Sequence, residues 1–311
     1  MPRRRRVPIR LAVVAALVLV AALVAIALSR EPGGPLIPTT IPPLPGGQVA
    51  VVVGAGDIAE CGDLDDEATA DLIDQIPGTV FAAGDTAYPN GSTRDFRECY
   101  EPSWGRFKER TRPVPGNHEY ATSGAAGYLE YWGDIAAPDG VTWYAWDAGS
   151  WRVLMLDSQC GEVGGCGPES PQARWLRDEL DASDARCTLA ISHHPRFSSG
   201  FHGGDRAMTT FWQLLHEAGA ELVVSAHDHS YERFAPQAAD GRADATGPRQ
   251  FVVGTGGGRL RSILRATANS EIREAGTFGV LRLALGADRY QWDFIPVAGR
   301  TFRDSGTGVC R

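Results

Sequence analysis

The chain has 311 residues, 43% of them hydrophobic, which is enough for one large domain with a sizeable core. Six of its 30 basic residues and none of its 38 acidic residues lie within positions 1–30, so the rest of the chain carries 24 basic against 38 acidic side chains, a net charge of −14. Such a surface repels nucleic acids and anionic membranes, which argues against a polyanion-binding module.

Residues 1–30 have the pattern of an export segment. Five arginines precede an unbroken apolar run of eighteen residues, Leu11 to Leu28. This length is at the lower limit for a membrane-spanning helix and long for the core of a signal peptide. The arginines place the N-terminus in the cytoplasm, so the remainder of the chain is expected to be extracellular or cell-surface. Because Ala25-Ile26-Ala27 offers a cleavage site, an anchor at residues 11–28 and a cleaved signal peptide remain alternatives.

Residues 31–48 are rich in proline and glycine and show no apolar periodicity. This composition predicts a semi-rigid extended linker rather than a domain. We therefore expect the folded domain to comprise residues 49–311.

All six cysteines lie beyond the apolar run, and an even number in an exported chain predicts three disulfides. Cys160 and Cys166 flank one glycine-rich loop and are expected to pair with each other. Spacing does not dictate the other two pairs, for which we expect Cys61–Cys99 and Cys187–Cys310.

The first two predicted strands each lead into an aspartate. Gln48–Val53 is a dense β-branched run, typical of a buried central strand, and Asp57 follows it after a glycine. Thr79–Ala83 is a second apolar run, followed by Gly84-Asp85 and then Tyr88.

A helix is predicted between these strands, at Asp65–Ile76, where Pro77-Gly78 ends it. A strand–helix–strand unit implies parallel pairing, so Asp57 and Asp85 are expected at the same edge of the sheet. Open α/β sheets build their sites at that edge, and carboxylates beside a phenol suit a hard metal ion.

A third strand end carries an amide and an imidazole. A helix is predicted over Asp95–Arg110, and a short extended segment then leads into Gly116-Asn117-His118-Glu119. After two Gly-Asp strand ends, this segment is interpreted as a third part of one site.

Two further strand ends carry histidines. Thr142–Asp147 and Trp151–Asp157 are predicted to form a hairpin, and Ser170–Asp181 an amphipathic helix. The strand Cys187–Ser192 leads into His193-His194-Pro195, and the strand Glu221–Ser225 leads into Ala226-His227-Asp228-His229.

Together these five segments resemble, in order, the motifs of the calcineurin-like metallophosphoesterases. The tyrosine at position 88 resembles the motif of the purple acid phosphatase branch specifically. At the position of Ala226 the family usually has glycine. The resemblance extends from Val51 to Pro296. It implies an α/β fold, a four-layer α-β-β-α sandwich, for the catalytic domain at 49–311.

The C-terminal part alternates like the strands of a second sheet, at Gln250–Val253, Thr277–Ala284 and Tyr290–Ile295. The glycine-rich run 254–258 lacks the context of a dinucleotide-binding or P-loop motif and is interpreted as a tight loop near the site.

The resemblance also implies a centre for two metal ions that share Asp85. Fe(III) is expected at the first position and Zn, Mn or Fe(II) at the second. The implied ligands are Asp57, Asp85, Tyr88 and His229 for the first ion, and Asp85, Asn117, His193 and His227 for the second.

Two further histidines are expected to take part in catalysis. His118 adjoins a ligand and is expected to donate a proton to the leaving oxygen. By the same resemblance, His202 is expected to contact the phosphate. His194 and Arg196 are equally compatible with substrate contact and with packing, and Tyr231-Glu232-Arg233 is expected to support a loop.

The sequence thus predicts an exported phosphatase that hydrolyses small phosphate monoesters by attack of a metal-bound hydroxide on phosphorus. A phosphodiesterase or nucleotidase of the same fold is the nearest alternative, since only the pocket walls would differ. A non-catalytic cell-surface binding protein is an alternative of another class. The presence of every implied ligand argues against it.

Overall fold

The computed structural model describes residues 49–263 and 265–311, together with Leu44. The predicted export segment at 1–30 and, apart from Leu44, the predicted linker at 31–48 lie outside the described residues. In the described part of the chain, no helix has the length and apolar character needed to cross a membrane.

Strands alternate with helical segments up to residue 225, apart from one hairpin, and the described chain after that point contains strands and loops only. The strands are β1 Ala50–Ala55, β2 Thr79–Ala83, β3 Thr111–Val114, β4 Tyr144–Ala148, β5 Trp151–Leu156, β6 Cys187–Ser192, β7 Leu222–Ser225, β8 Tyr231–Phe234, β9 Arg249–Val253, β10 Ser270–Glu274, β11 Gly279–Leu285, β12 Arg289–Pro296 and β13 Asp304–Val309. The α-helices of four or more residues are α1 Asp65–Asp74, α2 Asn117–Tyr120, α3 Ala126–Trp132, α4 Pro171–Ala182 and α5 Thr209–Glu217. Shorter 3₁₀ turns occur at Ser123–Ala125, Gly133–Ile135 and Arg206–Met208.

The strands form two mixed sheets. The first has the order β13-β12-β11-β1-β2-β3, and the second has the order β10-β8-β9-β7-β6-β5-β4. β1, β2 and β3 are parallel, as are β5, β6, β7 and β9. Because parallel strands end at the same edge, each sheet collects the loops that follow its strands at one side.

The prediction that the three C-terminal segments belong to a second sheet is wrong for two of them. β11, β12 and β13 extend the first sheet, with β11 antiparallel to β1, whereas β9 lies inside the second sheet between β7 and β8. The physical reason is that β1 has a free edge on the side away from β2. An edge of unpaired backbone groups in a buried strand must find a partner.

The two sheets face each other through aromatic side chains. Along β12, Tyr290, Trp292 and Phe294 alternate with polar residues and point to one face, as the two-residue period of a strand requires. Trp292 lies 5.7 Å from Phe251 of β9, and Phe294 lies 4.4 Å from Tyr231 of β8, between ring centroids.

Helices cover the sheets. On the second sheet, Leu176 of α4 and Trp212 of α5 are buried in one apolar cluster with Leu154 and Ala190 of the strands. On the first sheet, α1 packs against β11. Two mixed sheets with helices confirm the predicted α/β class.

The segment Asp95–Arg110 is largely helical, as predicted, but it is not one continuous α-helix. The segment is divided into a helical turn at Thr93–Asp95, a π-helical turn at Phe96–Tyr100 and a 3₁₀ helix at Trp104–Arg110. Pro102 lies at the break, and proline has no backbone N–H to continue a helix.

The cysteines form the three expected pairs, Cys61–Cys99, Cys160–Cys166 and Cys187–Cys310, and the described residues include no free cysteine. The first disulfide ties the loop after β1 to the π-helical turn, and the third ties the start of β6 to the C-terminus.

Candidate metal centre

The site is built where β1, β2 and β7 end, and the backbone there is strained. Asp57, Asp85 and His227 have φ values of 56°, 48° and 69°. A non-glycine residue in this left-handed region is uncommon, because its Cβ crowds the backbone. Strain of this kind persists only where the surrounding structure holds it, and it is concentrated at functional sites.

Glycines let the loops approach one another. A Cβ on Gly84, whose φ is +81°, would lie 2.6 Å from His193 Nδ1, and one on Gly254 would lie 2.5 Å from Asp57 Oδ2. The glycine-rich run 254–258 lies at the site, as predicted, and the Gly258 N–H donates to the Asp57 carbonyl at 2.7 Å.

One half of the cluster is centred on a phenol. The Tyr88 hydroxyl donates to Asp57 Oδ1 at 2.9 Å and lies 3.1 Å from His229 Nε2. Burial and the neighbouring Asp57 raise the pKa of Tyr88 well above its ordinary value, so the phenol keeps its proton. Asp57, Tyr88 and His229 are all buried.

The other half is centred on an imidazole. His193 Nε2 lies 3.2 Å from Asn117 Oδ1, from His227 Nδ1 and from Asp85 Oδ2. Asp85, His193 and His227 offer ligand atoms that all lie within 4.8 Å of one another. The amide of Asn117 reaches the cluster from the first residue of α2.

Asp85 joins the two halves. Its Oδ2 lies near both His193 Nε2 and the Tyr88 hydroxyl, at 3.2 and 3.4 Å, while its Oδ1 accepts the backbone N–H of His118 at 2.8 Å. The structure thus brings all seven predicted ligand side chains into one connected cluster.

The imidazoles are oriented by backbone carbonyls. His193 Nδ1 lies 2.8 Å from the Ala83 carbonyl, and His229 Nδ1 lies 2.8 Å from the Arg259 carbonyl. A carbonyl only accepts, so each Nδ1 carries a hydrogen and each Nε2 faces the cluster. Burial opposes a charge on His193, but Asp85 outweighs burial and raises the pKa of His193 to about 10, so a cation bound at Nε2 would displace a proton. Metal-binding histidines are held in this way.

The charges of the cluster favour a cation. Asp57 and Asp85 are buried, and no described lysine or arginine pairs with either carboxylate. Burial raises the pKa of Asp57. Burial also opposes the charge on Asp85, but the protonated His193 outweighs burial and holds the pKa of Asp85 below its ordinary value. Buried carboxylates need a compensating charge, and this set of oxygen and nitrogen donors fits metal ions.

His118 faces the cluster without belonging to it. Its Nδ1 lies 2.5 Å from the Pro89 carbonyl, so Nδ1 carries a hydrogen, and its Nε2 lies 3.9 Å from Asp85 Oδ2. The ring contacts Tyr88 edge to face, with 4.5 Å between centroids. The Nε2 atom is therefore the one available for proton transfer.

His202 lies beside the predicted ligand His227, with 4.4 Å between ring centroids. Its position depends on Asp228, a buried carboxylate that accepts the His202 N–H at 2.7 Å and the Gly203 N–H at 3.2 Å. Sequence reasoning gave Asp228 no role. Its position between His227 and His229 could have indicated a separate role, because alternate residues of an extended chain face opposite sides.

Glu119 is a second residue that sequence reasoning left without a role. Its buried carboxylate accepts the backbone N–H groups of Asp85, Thr86 and Gly116 at 2.9, 2.8 and 2.6 Å. Its position three residues after Gly116 could have indicated this role, because an acidic side chain there can cap the start of a helix. Glu119 thus holds the loop after β2 against the loop after β3.

Glu119→Ala is expected to lower the free energy of unfolding of the metal-free protein by about 2–4 kcal/mol, because several buried N–H donors lose their acceptor. Urea denaturation measures this change. Glu109→Ala, at an exposed position, is the matched control and should stay within about 0.5 kcal/mol of the parent. Equal stability of the two variants would show that the Glu119 bonds contribute nothing net.

His194, Arg196 and Glu232, which the sequence predicted to lie near the site, each have a structural contact. The His194 ring lies 4.2 Å from that of His227, and burial lowers the pKa of His194 to about 3, so it packs as a neutral side chain. Arg196 donates to the Ala239 carbonyl at 2.7 Å. Glu232 accepts the Ser199 N–H at 2.8 Å and so supports the His202 loop, as expected for its segment.

Known proteins share both the sequence pattern and the fold. The model of the calcineurin-like phosphoesterase family matches residues 41–231. Purple acid phosphatase 15 of Arabidopsis thaliana is 28% identical over 246 residues, which is 66% of this chain and 45% of that protein. The chain therefore spans about half the length of the curated relatives it matches.

Two solved structures share the fold. A purple acid phosphatase from yellow lupin (Lupinus luteus) seeds has a TM-score of 0.65 at 18% identity, over 84% of this chain and 54% of that one. GAP50, described as the anchor in the inner membrane complex of Plasmodium, has a TM-score of 0.66 at 13% identity, over 85% of this chain and 90% of that one. The match to the family model, over more than half of the chain, shows that the chain belongs to the calcineurin-like phosphoesterase family, and purple acid phosphatases are among its relatives.

Proposed function

We propose that this protein is an exported phosphatase that hydrolyses phosphate monoesters at a centre for two metal ions. The observation that carries the proposal is the pair of buried carboxylates, Asp57 and Asp85, which converge with imidazole, phenol and amide donors. Among the residues that the structure describes, no lysine or arginine pairs with either carboxylate. The proposed ligands are Asp57, Asp85, Tyr88 and His229 for one ion, and Asp85, Asn117, His193 and His227 for the other.

When bound, two cations would activate water and neutralise the phosphoryl oxygens, which is the chemistry that hydrolysis of a phosphate ester needs. Asp85 would supply the shared negative charge that offsets their repulsion. Tyr88 becomes an anionic ligand only by losing the proton that it now donates to Asp57. This requirement favours a strongly acidic ion such as Fe(III) on that side, with Zn, Mn or Fe(II) on the other.

Two histidines of the chain would act on the ester itself. His118 holds Nδ1 on the Pro89 carbonyl and turns Nε2 toward the cluster, which suits it to donate a proton to the leaving oxygen. His202 lies against His227 on a loop fixed by Asp228, which suits it to donate a hydrogen bond to the phosphate.

Export is part of the proposal. Residues 1–30 would direct the chain across the membrane, as an anchor at 11–28 or as a cleaved signal peptide, and residues 49–311 would form the catalytic domain. Three disulfides support an oxidising compartment.

We predict that the full chain binds two metal ions and releases phosphate from monoesters. Elemental analysis of protein expressed with iron, manganese and zinc measures the first, and phosphate release from a panel of monoesters measures the second. A chelator should abolish release and added metal should restore it. A stoichiometry that stays near one or zero would contradict the centre for two ions.

The same panel separates the alternatives. Faster hydrolysis of bis(4-nitrophenyl) phosphate than of 4-nitrophenyl phosphate would indicate a phosphodiesterase. GAP50 is described as an anchor, so a protein of this fold can serve a structural role. Full metal occupancy with no hydrolysis of any ester would favour such a non-catalytic role here.

A further inference from the structure

The loop that follows β9 is attached to the metal centre by its backbone. The Gly258 N–H donates to the Asp57 carbonyl at 2.7 Å, His229 Nδ1 donates to the Arg259 carbonyl at 2.8 Å, and the Arg261 N–H donates to the His229 carbonyl at 2.9 Å. The positions of Arg259 and Arg261 are therefore tied to those of two proposed ligands.

The side chain of Arg261 lies over an exposed aromatic ring. Its guanidinium carbon is 5.3 Å from the centroid of Phe201, which is 65% exposed. Phe201 in turn contacts His202, with 5.2 Å between centroids, and His202 contacts the ligand His227 at 4.4 Å. A continuous row of rings thus leads from the metal centre to the Arg261 guanidinium.

Within the described ranges, the arginines of this loop have no acidic partners. Arg259, Arg261 and Arg265 are exposed, and none forms an ion pair with a carboxylate in the ranges that the structure describes. The chain beyond residue 30 carries a net charge of −14, so cations without a partner are unexpected at this place. Positive charge beside a catalytic cleft attracts anionic ligands and is available to pair with them.

We propose that Arg261, positioned by Phe201, forms a subsite for a second anionic group on the substrate, carried by the leaving group of the ester. The inference rests on the proposed phosphatase function and specifies its substrate class, which is phosphate esters with a further carboxylate or phosphate. Arg261 binds that group as an ion pair. Phe201 contacts the guanidinium by a cation–π interaction and so holds it above the row of rings.

Equilibrium binding of three phosphonates to the metal-loaded full chain tests the subsite without hydrolysis. Propylphosphonate has one anionic end, whereas 3-phosphonopropionate and propane-1,3-diphosphonate add a carboxylate or a phosphonate. Calorimetry should show the two bis-anions binding roughly three- to tenfold more tightly than propylphosphonate, the scale of one partly solvated ion pair. The advantage should shrink as salt is raised. Of the two bis-anions, the one that binds more tightly shows whether the second group is a carboxylate or a phosphate.

Arg261→Gln should remove this advantage and leave the affinity for propylphosphonate within about twofold. Phe201→Ala should remove part of it, and Phe201→Tyr should retain it, because a tyrosine ring still contacts the guanidinium. Arg174→Gln, at an exposed position on α4, is the matched control and should change nothing.

Three results would overturn the proposal: no advantage for the bis-anions in the parent, an advantage that persists in Arg261→Gln, or an equal loss in Arg174→Gln. Failure of the proposed function looks different. In that case the bis-anions still bind more tightly than propylphosphonate through Arg261, but no phosphate ester is hydrolysed. The anion-binding subsite would then be present without the phosphatase activity.

Discussion

Replacing Asp85 with asparagine is expected to remove both the bound cations and the phosphatase activity. Asp85 lies in both halves of the cluster, with Oδ2 at 3.2 Å from His193 Nε2 and 3.4 Å from the Tyr88 hydroxyl. The amide has the same shape but no charge to offset the repulsion between two cations. Metal analysis should find less than one ion per chain, and phosphate release should fall by roughly 10³-fold or more.

The fold should survive this change. Because His193 stabilises the charge of Asp85 in the folded state, the metal-free variant should unfold at a lower temperature than the metal-free parent, but still in one cooperative transition. Asp178→Asn, at an exposed position on α4, is the control and should keep both metal and activity. If Asp85→Asn retained two ions, Asp85 would not be the residue that they share.

His118→Ala is expected to leave the metal content unchanged and to lower turnover by roughly 10²–10⁴-fold, the usual contribution of one general acid. Its ring nitrogens face the Pro89 carbonyl and, at 3.9 Å, Asp85, so neither is placed as a ligand. The loss should be large for an alkyl phosphate, whose leaving oxygen needs a proton. It should be small for 4-nitrophenyl phosphate, whose leaving group departs as an anion.

Metal content and the two rates, measured on the same preparation, separate this role from packing. If His118 served to hold Asn117, its removal would deplete the second metal and slow both substrates equally. Such a result would remove His118 from the catalytic residues. His216→Ala is a suitable control, since this histidine lies on α5 and contacts Thr246 rather than the cluster.

The results expected for Asp85→Asn and His118→Ala depend on side chains whose positions the sequence predicts well. Asp57, Asp85 and His193 each follow a buried apolar strand, and glycine precedes both aspartates. Parallel strands end at one edge of a sheet, so local patterns and one topological rule suffice to bring such residues together. The order of the motifs then indicates the family.

Long-range pairing was harder to predict. The alternation of β11 and β12 identified both as strands but did not show which sheet they join. They extend the first sheet because β11 pairs with the free edge of β1, where Val52 lies opposite Leu283. Alternation depends on which faces are buried, whereas the choice of partner depends on which edges the rest of the fold leaves open.

The sequence by itself determined the class of the fold, the strand ends that carry the proposed ligands and the pairing of Cys160 with Cys166. Only the tertiary structure decided the roles of Glu119, Asp228 and Arg261. Glu119 accepts hydrogen bonds from the loop after β2, Asp228 accepts them from the His202 loop, and Arg261 lies over Phe201. Each role depends on a partner far away in the chain, and packing places such partners, which no local pattern of residues encodes.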